Sequence, residues 1–189
     1  MIISKLKKTG IILLSSLTLF SLVGCNQTTE KDSKILSSPV FKTIQTTDIK
    51  GARVDSSIFS KNKLTLVNIW NTGCTPCVDE IPILDKLNNE YESKGVSIKG
   101  LVLESGVGLN EQERKSVSEV INKSKASYQQ LITSKELFES DVLKDIDSFP
   151  TTFFVDKDGN ILDKISGAND YDGWKTEIES ILKRGNLNE

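Results

Sequence analysis

Cys74 and Cys77 stand two residues apart in the stretch VNIWNTGCTPCVDEIPIL, Val67 to Leu84. A pair at that spacing can ligate a metal, close a small structural ring, or pass electrons as a dithiol. Zinc asks for four ligands, commonly two such pairs or one pair with histidines. The 189-residue chain has three cysteines and no histidine, so neither complement exists. The missing histidine also excludes Cys-His and Ser-His catalysis and histidine-bound copper. As a staple the pair is poor: closing so short a ring restricts the unfolded chain by about 2 kcal/mol at best. Electron transfer fits the context better. Cys74 follows an apolar run and a short loop, and Cys77 falls in the first turn of an expected helix. Unpaired N–H groups and the positive end of the helix dipole favour a thiolate there. They lower its pKa from about 8.5 and make a nucleophile at moderate pH. Cys77, more shielded, would attack the mixed disulfide and release the reduced partner. Pro76 suits an early helical position, where it has no N–H to waste.

Glu80 lies three residues after Cys77, so the two can share a helix face. A carboxylate there opposes a thiolate. The competing reading is a solvated acid at a helix start, which Asp79 fits as well.

The surrounding elements must position these groups. Residues 40–54 alternate around Gly51 and read as a short β-hairpin. Leu64 to Trp70 is a β-branched apolar run, a buried strand. Pro76 to Ser93 reads as a helix with Ile81, Leu84, Leu87 and Tyr91 near one face, and Gly95 follows as a stop. Gly95 to Glu104 is a second buried strand. Glu111 to Lys125 is a surface helix with Val117, Val120 and Ile121 as its stripe. A short strand follows in YQQLIT, then a weakly helical region, Ser134 to Ile146. Two strand-like runs flank DKDGN, a strong hairpin signal that also accounts for Asp156 and Asp158 without calcium. Tyr171 to Lys183 closes the domain with Trp174, Ile178, Ile181 and Leu182 inward. Strands alternating with helices imply an α/β fold: a central mixed sheet flanked by helices, with the N-terminal hairpin as an extension.

Lys5, Lys7 and Lys8 precede 13 mostly apolar residues, Ile11 to Val23. That run is short for a bilayer, which needs about 20 residues, and suits a signal-peptide core. It ends in LVGC, which resembles the lipobox of bacterial lipoproteins. The resemblance implies cleavage before Cys25, lipidation of its thiol, and a protein anchored to the extracytoplasmic face of the membrane. The expected organisation is therefore a signal peptide over 1–24, a polar flexible tether over 25–38, and one domain over 39–189. Losing the signal removes three of 24 basic residues and none of 26 acidic ones, for a net charge of −5. No basic run remains, so nucleic acid is not an expected partner. Disulfides persist in that compartment.

WNTGCTPCVDEIP followed far downstream by FPTTFFVDKDGNI resembles the thioredoxin superfamily, and more narrowly its membrane-anchored thiol–disulfide oxidoreductases of the TlpA and ResA type. The resemblance spans Phe41 to Leu182. It includes Trp70 four before Cys74, Pro82 five after Cys77, and Gly167 between the last strand and helix. It implies Cys74 as nucleophile, Cys77 as resolving thiol, and Glu80 as the acid that tunes their proton affinities. It implies a cis-proline at Pro150 facing the disulfide, and substrate contacts at Thr75, Pro76 and Thr151. Trp70 and Phe149 read first as core, with a substrate contact beside the site as the second reading of each. Asn68 stands where thioredoxins carry a buried acid. Two departures stand out: Gly73 replaces the usual Trp, which would loosen the loop, and the dipeptide Thr75-Pro76 lacks the histidine of oxidising relatives. The implied protein is a monomeric reductant of disulfides in secreted or membrane clients, such as apocytochrome c, methionine sulfoxide reductases or spore-envelope proteins. No flavin or nicotinamide motif is present, so its only redox group is the Cys74–Cys77 pair. Electrons would come from a membrane donor of the CcdA/DsbD type. The alternatives are a disulfide-forming oxidant, or a non-enzymatic binding or metallochaperone lipoprotein on the same fold.

Overall fold

The computed structural model describes residues 34–184. The expected signal segment, Cys25 and the tether as far as residue 33 lie outside the described residues. The last five tether residues are described, and they do not behave as a tether. Ile35 is buried beside Phe41, Phe59 and Phe153. Two adjacent apolar residues, Ile35 and Leu36, suffice to pull this end of a polar stretch onto the core, so the packed domain begins before Pro39.

β1 (Gln45–Thr47) and β2 (Arg53–Asp55) form an antiparallel pair. Asp48 builds their turn by accepting the N–H groups of Lys50 and Ala52 at 2.9 Å each, with Gly51 at φ 85°. One helical turn that the sequence pattern did not separate follows, α1 (Ser57–Ser60). It exists to bury Phe59, edge-on to Phe41 at 5.8 Å.

The main sheet has five strands in the order β5-β4-β3-β6-β7. These are β3 (Leu64–Trp70), β4 (Val96–Val102), β5 (Gln130–Ile132), β6 (Thr151–Asp156) and β7 (Ile161–Ser166). The first three run parallel to one another, and β6 and β7 are antiparallel additions. Every residue of β3 is buried, as a central strand covered on both faces requires. Its alternation divides the core. Leu64, Leu66 and Trp70 pack with Ile81, Leu84, Phe154 and Trp174 under α2 (Thr75–Tyr91) and α6 (Tyr171–Arg184). Val67 and Ile69 face Phe41, Phe59 and Phe153 on the opposite side. α3 (Glu111–Ser124) begins with a capping box between Asn110 and Glu113.

The weakly helical region is two short helices, α4 (Lys135–Glu139) and α5 (Asp141–Lys144). Ser140 divides them. Its backbone is extended and its hydroxyl accepts the Leu143 N–H at 3.3 Å, so an N-cap starts a new helix where a continuous one was expected.

Gly100 on β4 serves Trp70. A Cβ at that position would lie 1.8 Å from Gln130 Oε1, the atom that accepts the Trp70 Nε1–H at 2.9 Å. Gly100→Ala must displace the Gln130 side chain and orphan a buried indole N–H. We expect a loss of about 3 kcal/mol, read as a lower urea midpoint with an unchanged slope.

Candidate active site

The loop Asn71–Gly73 leads from the carboxyl end of β3 into α2. Asn71 Oδ1 accepts the Gly73 N–H at 3.0 Å, and the Asn71 carbonyl accepts the Cys74 N–H at 3.3 Å. Glu104, just beyond β4, accepts the Thr72 N–H at 2.8 Å. Three consecutive N–H groups are thus tied, and the loop is held in place although Gly73 carries no side chain.

Cys74 is the N-cap of α2, and Pro76 sits in its first turn. Cys74 and Cys77 are joined in a disulfide with an S–S distance of 2.06 Å. Cys74 Sγ accepts the Cys77 N–H at 3.3 Å, a donor that would serve a thiolate better. Cys74 is half-buried and Cys77 fully buried, while Gly73, Thr75 and Pro76 are exposed. An approaching group meets the Cys74 sulfur first. This asymmetry is what a nucleophile and a resolving thiol need.

Glu80 is buried at 2% exposure, on the face of α2 that carries Cys77, Ile81 and Leu84. Asp79 is exposed and is the solvated acid of the pair. Four elements meet at the Glu80 carboxyl. Asn68 Nδ2 on β3 donates to Oε1 at 2.8 Å. The Asn169 N–H, in the loop before α6, and Trp174 Nε1 donate to Oε2 at 3.3 and 3.2 Å. Thr152 on β6 stands behind Asn68 and accepts its other Nδ2 hydrogen at 3.0 Å. Burial pushes the Glu80 carboxyl up from its ordinary 4.5 to about 7, and the donors from Asn68, Asn169 and Trp174 pull only partly against it. A carboxyl that titrates near neutrality, one helical turn beyond Cys77, can exchange a proton at working pH.

The Phe149–Pro150 peptide is cis. The pairing of Ile69 with Thr151 places Phe149 and Pro150 beside the end of β3 where the cysteine loop begins. Phe149 is half-buried and packs against the same core cluster as Cys74 and Cys77. Among the described residues its N–H and C=O have no hydrogen-bond partner.

Two candidate substrate contacts lie out of reach, and for Trp70 the core reading is the one that holds. Trp70 is fully buried and its N–H is spent on Gln130, so it supports the site from below. Thr151 is 1% exposed, its hydroxyl donates to the Ser148 carbonyl at 2.8 Å, and it pairs with strands on both sides. Residues that sequence reasoning did not assign to the site are Asn71, Glu104, Thr152, Asn169 and Trp174. Trp174 is expected in the core, where it also lies. Asn71 is local, three residues before Cys74 within the motif itself; Glu104, Thr152 and Asn169 carry no spacing signal, because folding alone brings them to the site. Among the described residues no group of three potential ligands could hold a metal ion.

The mixed sheet, the disulfide at a helix start and the adjacent cis-proline define a thioredoxin-like thiol–disulfide oxidoreductase. Residues 36–182 match the Redoxin family model, and the chain belongs to that family. It is 27% identical over 141 residues to the thiol-disulfide oxidoreductase ResA of Bacillus thuringiensis subsp. konkukian, covering 73% of this chain and 72% of that protein. It is 27% identical over 176 residues to ResA of Geobacillus kaustophilus, covering 92% and 94%. Among solved structures, the thioredoxin domain of a thiol-disulfide oxidoreductase from Bacteroides vulgatus superposes with a TM-score of 0.58 at 28% identity, over 74% of this chain and 92% of that one.

Proposed function

We propose that the protein works outside the cytoplasm, held to the membrane by a lipid on Cys25, and reduces disulfides in secreted or membrane client proteins. The observation that carries the exchange chemistry is the exposure gradient across the Cys74–Cys77 pair; the location is supported by the LVGC sequence ending at Cys25. In the reduced form the Cys74 thiolate attacks a client disulfide, one client sulfur leaves as a thiolate, and a mixed disulfide forms. Cys77 gives up its proton, attacks Cys74 Sγ and expels the second client sulfur, which regenerates the ring disulfide. The Glu80 carboxylate is the acceptor for that proton. The unpaired N–H and C=O of Phe149 would hold the client main chain beside the sulfur as an added strand, with Thr75 and Pro76 forming the exposed lip of the site. The two electrons return from a membrane donor of the CcdA/DsbD type, and the monomer needs no bound cofactor.

The reducing direction rests on what destabilises the thiolate. No histidine stands between the cysteines, and a buried acid lies one turn away. Both disfavour the reduced form relative to a strong oxidant. A reduction potential near that of thioredoxin, about −270 mV, is expected; a value near −120 mV would reverse the direction. Clients are identified by trapping. With Cys77→Ala, mixed disulfides through Cys74 should accumulate in cells and be named by mass spectrometry. If none accumulate while the variant is folded and reduced, exchange with protein clients is refuted.

A further inference from the structure

The Asn68 side chain is only half satisfied. Its Nδ2 donates to Glu80 Oε1 and Thr152 Oγ1, while its Oδ1 is buried without a hydrogen-bond partner. A fully buried polar side chain in the middle of a central strand is costly, and an orphaned amide oxygen adds to the cost. In this arrangement every group around the Glu80 carboxyl is an N–H donor: Asn68 Nδ2, the Asn169 N–H and Trp174 Nε1. Such a setting suits a carboxylate, which only accepts. It does not suit a carboxylic acid, whose O–H needs an acceptor.

A half-turn of the Asn68 amide supplies one. With nitrogen and oxygen exchanged, Oδ1 occupies the place now held by Nδ2. There it can accept the Glu80 O–H and the Thr152 hydroxyl hydrogen together. Oε2 keeps its donors from Asn169 and Trp174. The two amide orientations therefore match the two protonation states of one neighbour.

We propose that Asn68 is a positioning residue whose side-chain amide turns over when Glu80 gains or loses its proton, so that the site holds both states in one backbone geometry. The inference rests on the proton-transfer role given to Glu80 above. In the resolving step the Cys77 thiol yields its proton to Glu80 Oε1. The Cys77 thiolate displaces the client thiolate from Cys74, and the amide turns so that Oδ1 receives the new Glu80 O–H. Loss of that proton to solvent restores the starting orientation. Among the described residues no lysine or arginine acts on the Glu80 carboxyl. The titratable groups that face this cluster are Tyr128, buried before β5 and coupled to Glu80 by charge, and the cysteines themselves. Tyr128 titrates far above this range, and in the disulfide form the cysteines do not titrate.

The test is an NMR titration of the oxidised full domain, which needs no client and no turnover. In the wild type, the Asn68 side-chain NH2 resonances should move with the same midpoint as the Glu80 carboxyl carbon; resonances that stay flat through that midpoint overturn the turnover. In Asn68→Leu, loss of the donor to the ionised form should raise the Glu80 midpoint by about one pH unit or more. An unchanged midpoint in the folded variant also overturns it. If Asn68→Leu does not fold, the wild-type titration alone decides. A protein that passes this titration but traps no client would refute the proposed function and leave this inference standing.

Discussion

At pH 8 a Glu80→Gln variant is expected to be more stable than the wild type by about 3 kcal/mol, and at pH 4 nearly equal to it. The folded-state carboxyl titrates near 7 against an ordinary 4.5, so its folded pKa is raised. Below about 4.5 both folded and unfolded chains hold the proton and the group costs nothing by ionisation. Between about 4.5 and 7 the unfolded chain releases its proton while the folded chain keeps it. Stability then falls by about 1.4 kcal/mol per pH unit. Above the folded value the full penalty is present. Glutamine does not titrate, so the variant's stability should lack this slope. Glutamine also fits the cage: its oxygen can accept from Asn169 and Trp174, and once the Asn68 amide has turned over its Nε2 can donate to Asn68 Oδ1. Urea unfolding at pH 4, 6 and 8 measures the effect, and parallel stability curves for the two proteins would show that Glu80 is not held at a cost. Stability that a single isosteric change would recover is stability given up for function.

The same carboxyl shows where reading the sequence stops. The cysteine spacing, the strand before it and the helix after it were legible because each is local. The DKDGN hairpin was legible for the same reason: Asp156 accepts the N–H groups of Asp158 and Asn160 within its own turn. Glu80 itself was visible only as an acid on the Cys77 face of the helix. Acids near a helix start are usually solvated. Its burial is made by Asn68, Asn169 and Trp174, which lie 12, 89 and 94 residues away in the chain. The brace on the cysteine loop is of the same kind. Gly73 promised a loose loop, but Glu104 reaches Thr72 from 32 residues downstream. Trp70 is a related case. Its position next to the motif leaves a contact with clients open beside its core reading, and strand alternation decides for the core by turning it inward onto Gln130. Ile35 reads as tether because a polar stretch hides two apolar residues, and of the partners of Ile35 only Phe41 is near in the chain, while Phe59 and Phe153 are remote.

Replacing Cys74 by Ser should lower the rate of client disulfide reduction to the uncatalysed background, a loss on the order of 10³-fold or more. A serine hydroxyl at the helix start is not ionised near neutrality and cannot exchange with a disulfide, whatever the helix contributes. Cys77→Ala behaves differently: the first attack survives, and each molecule stops after one mixed disulfide, so a single stoichiometric burst replaces turnover. The contrast follows from the burial difference between the two sulfurs, because only Cys74 can be reached by a client. Structural damage does not explain such a loss. The hydroxyl can still accept the Cys77 N–H as an N-cap, and opening so small a ring costs about 2 kcal/mol at most. Matched circular dichroism and urea midpoints, compared with the reduced wild type, separate the two causes. Retained cellular function in a folded Cys74→Ser protein would mean that the fold serves as a binding module, with its sulfur chemistry dispensable.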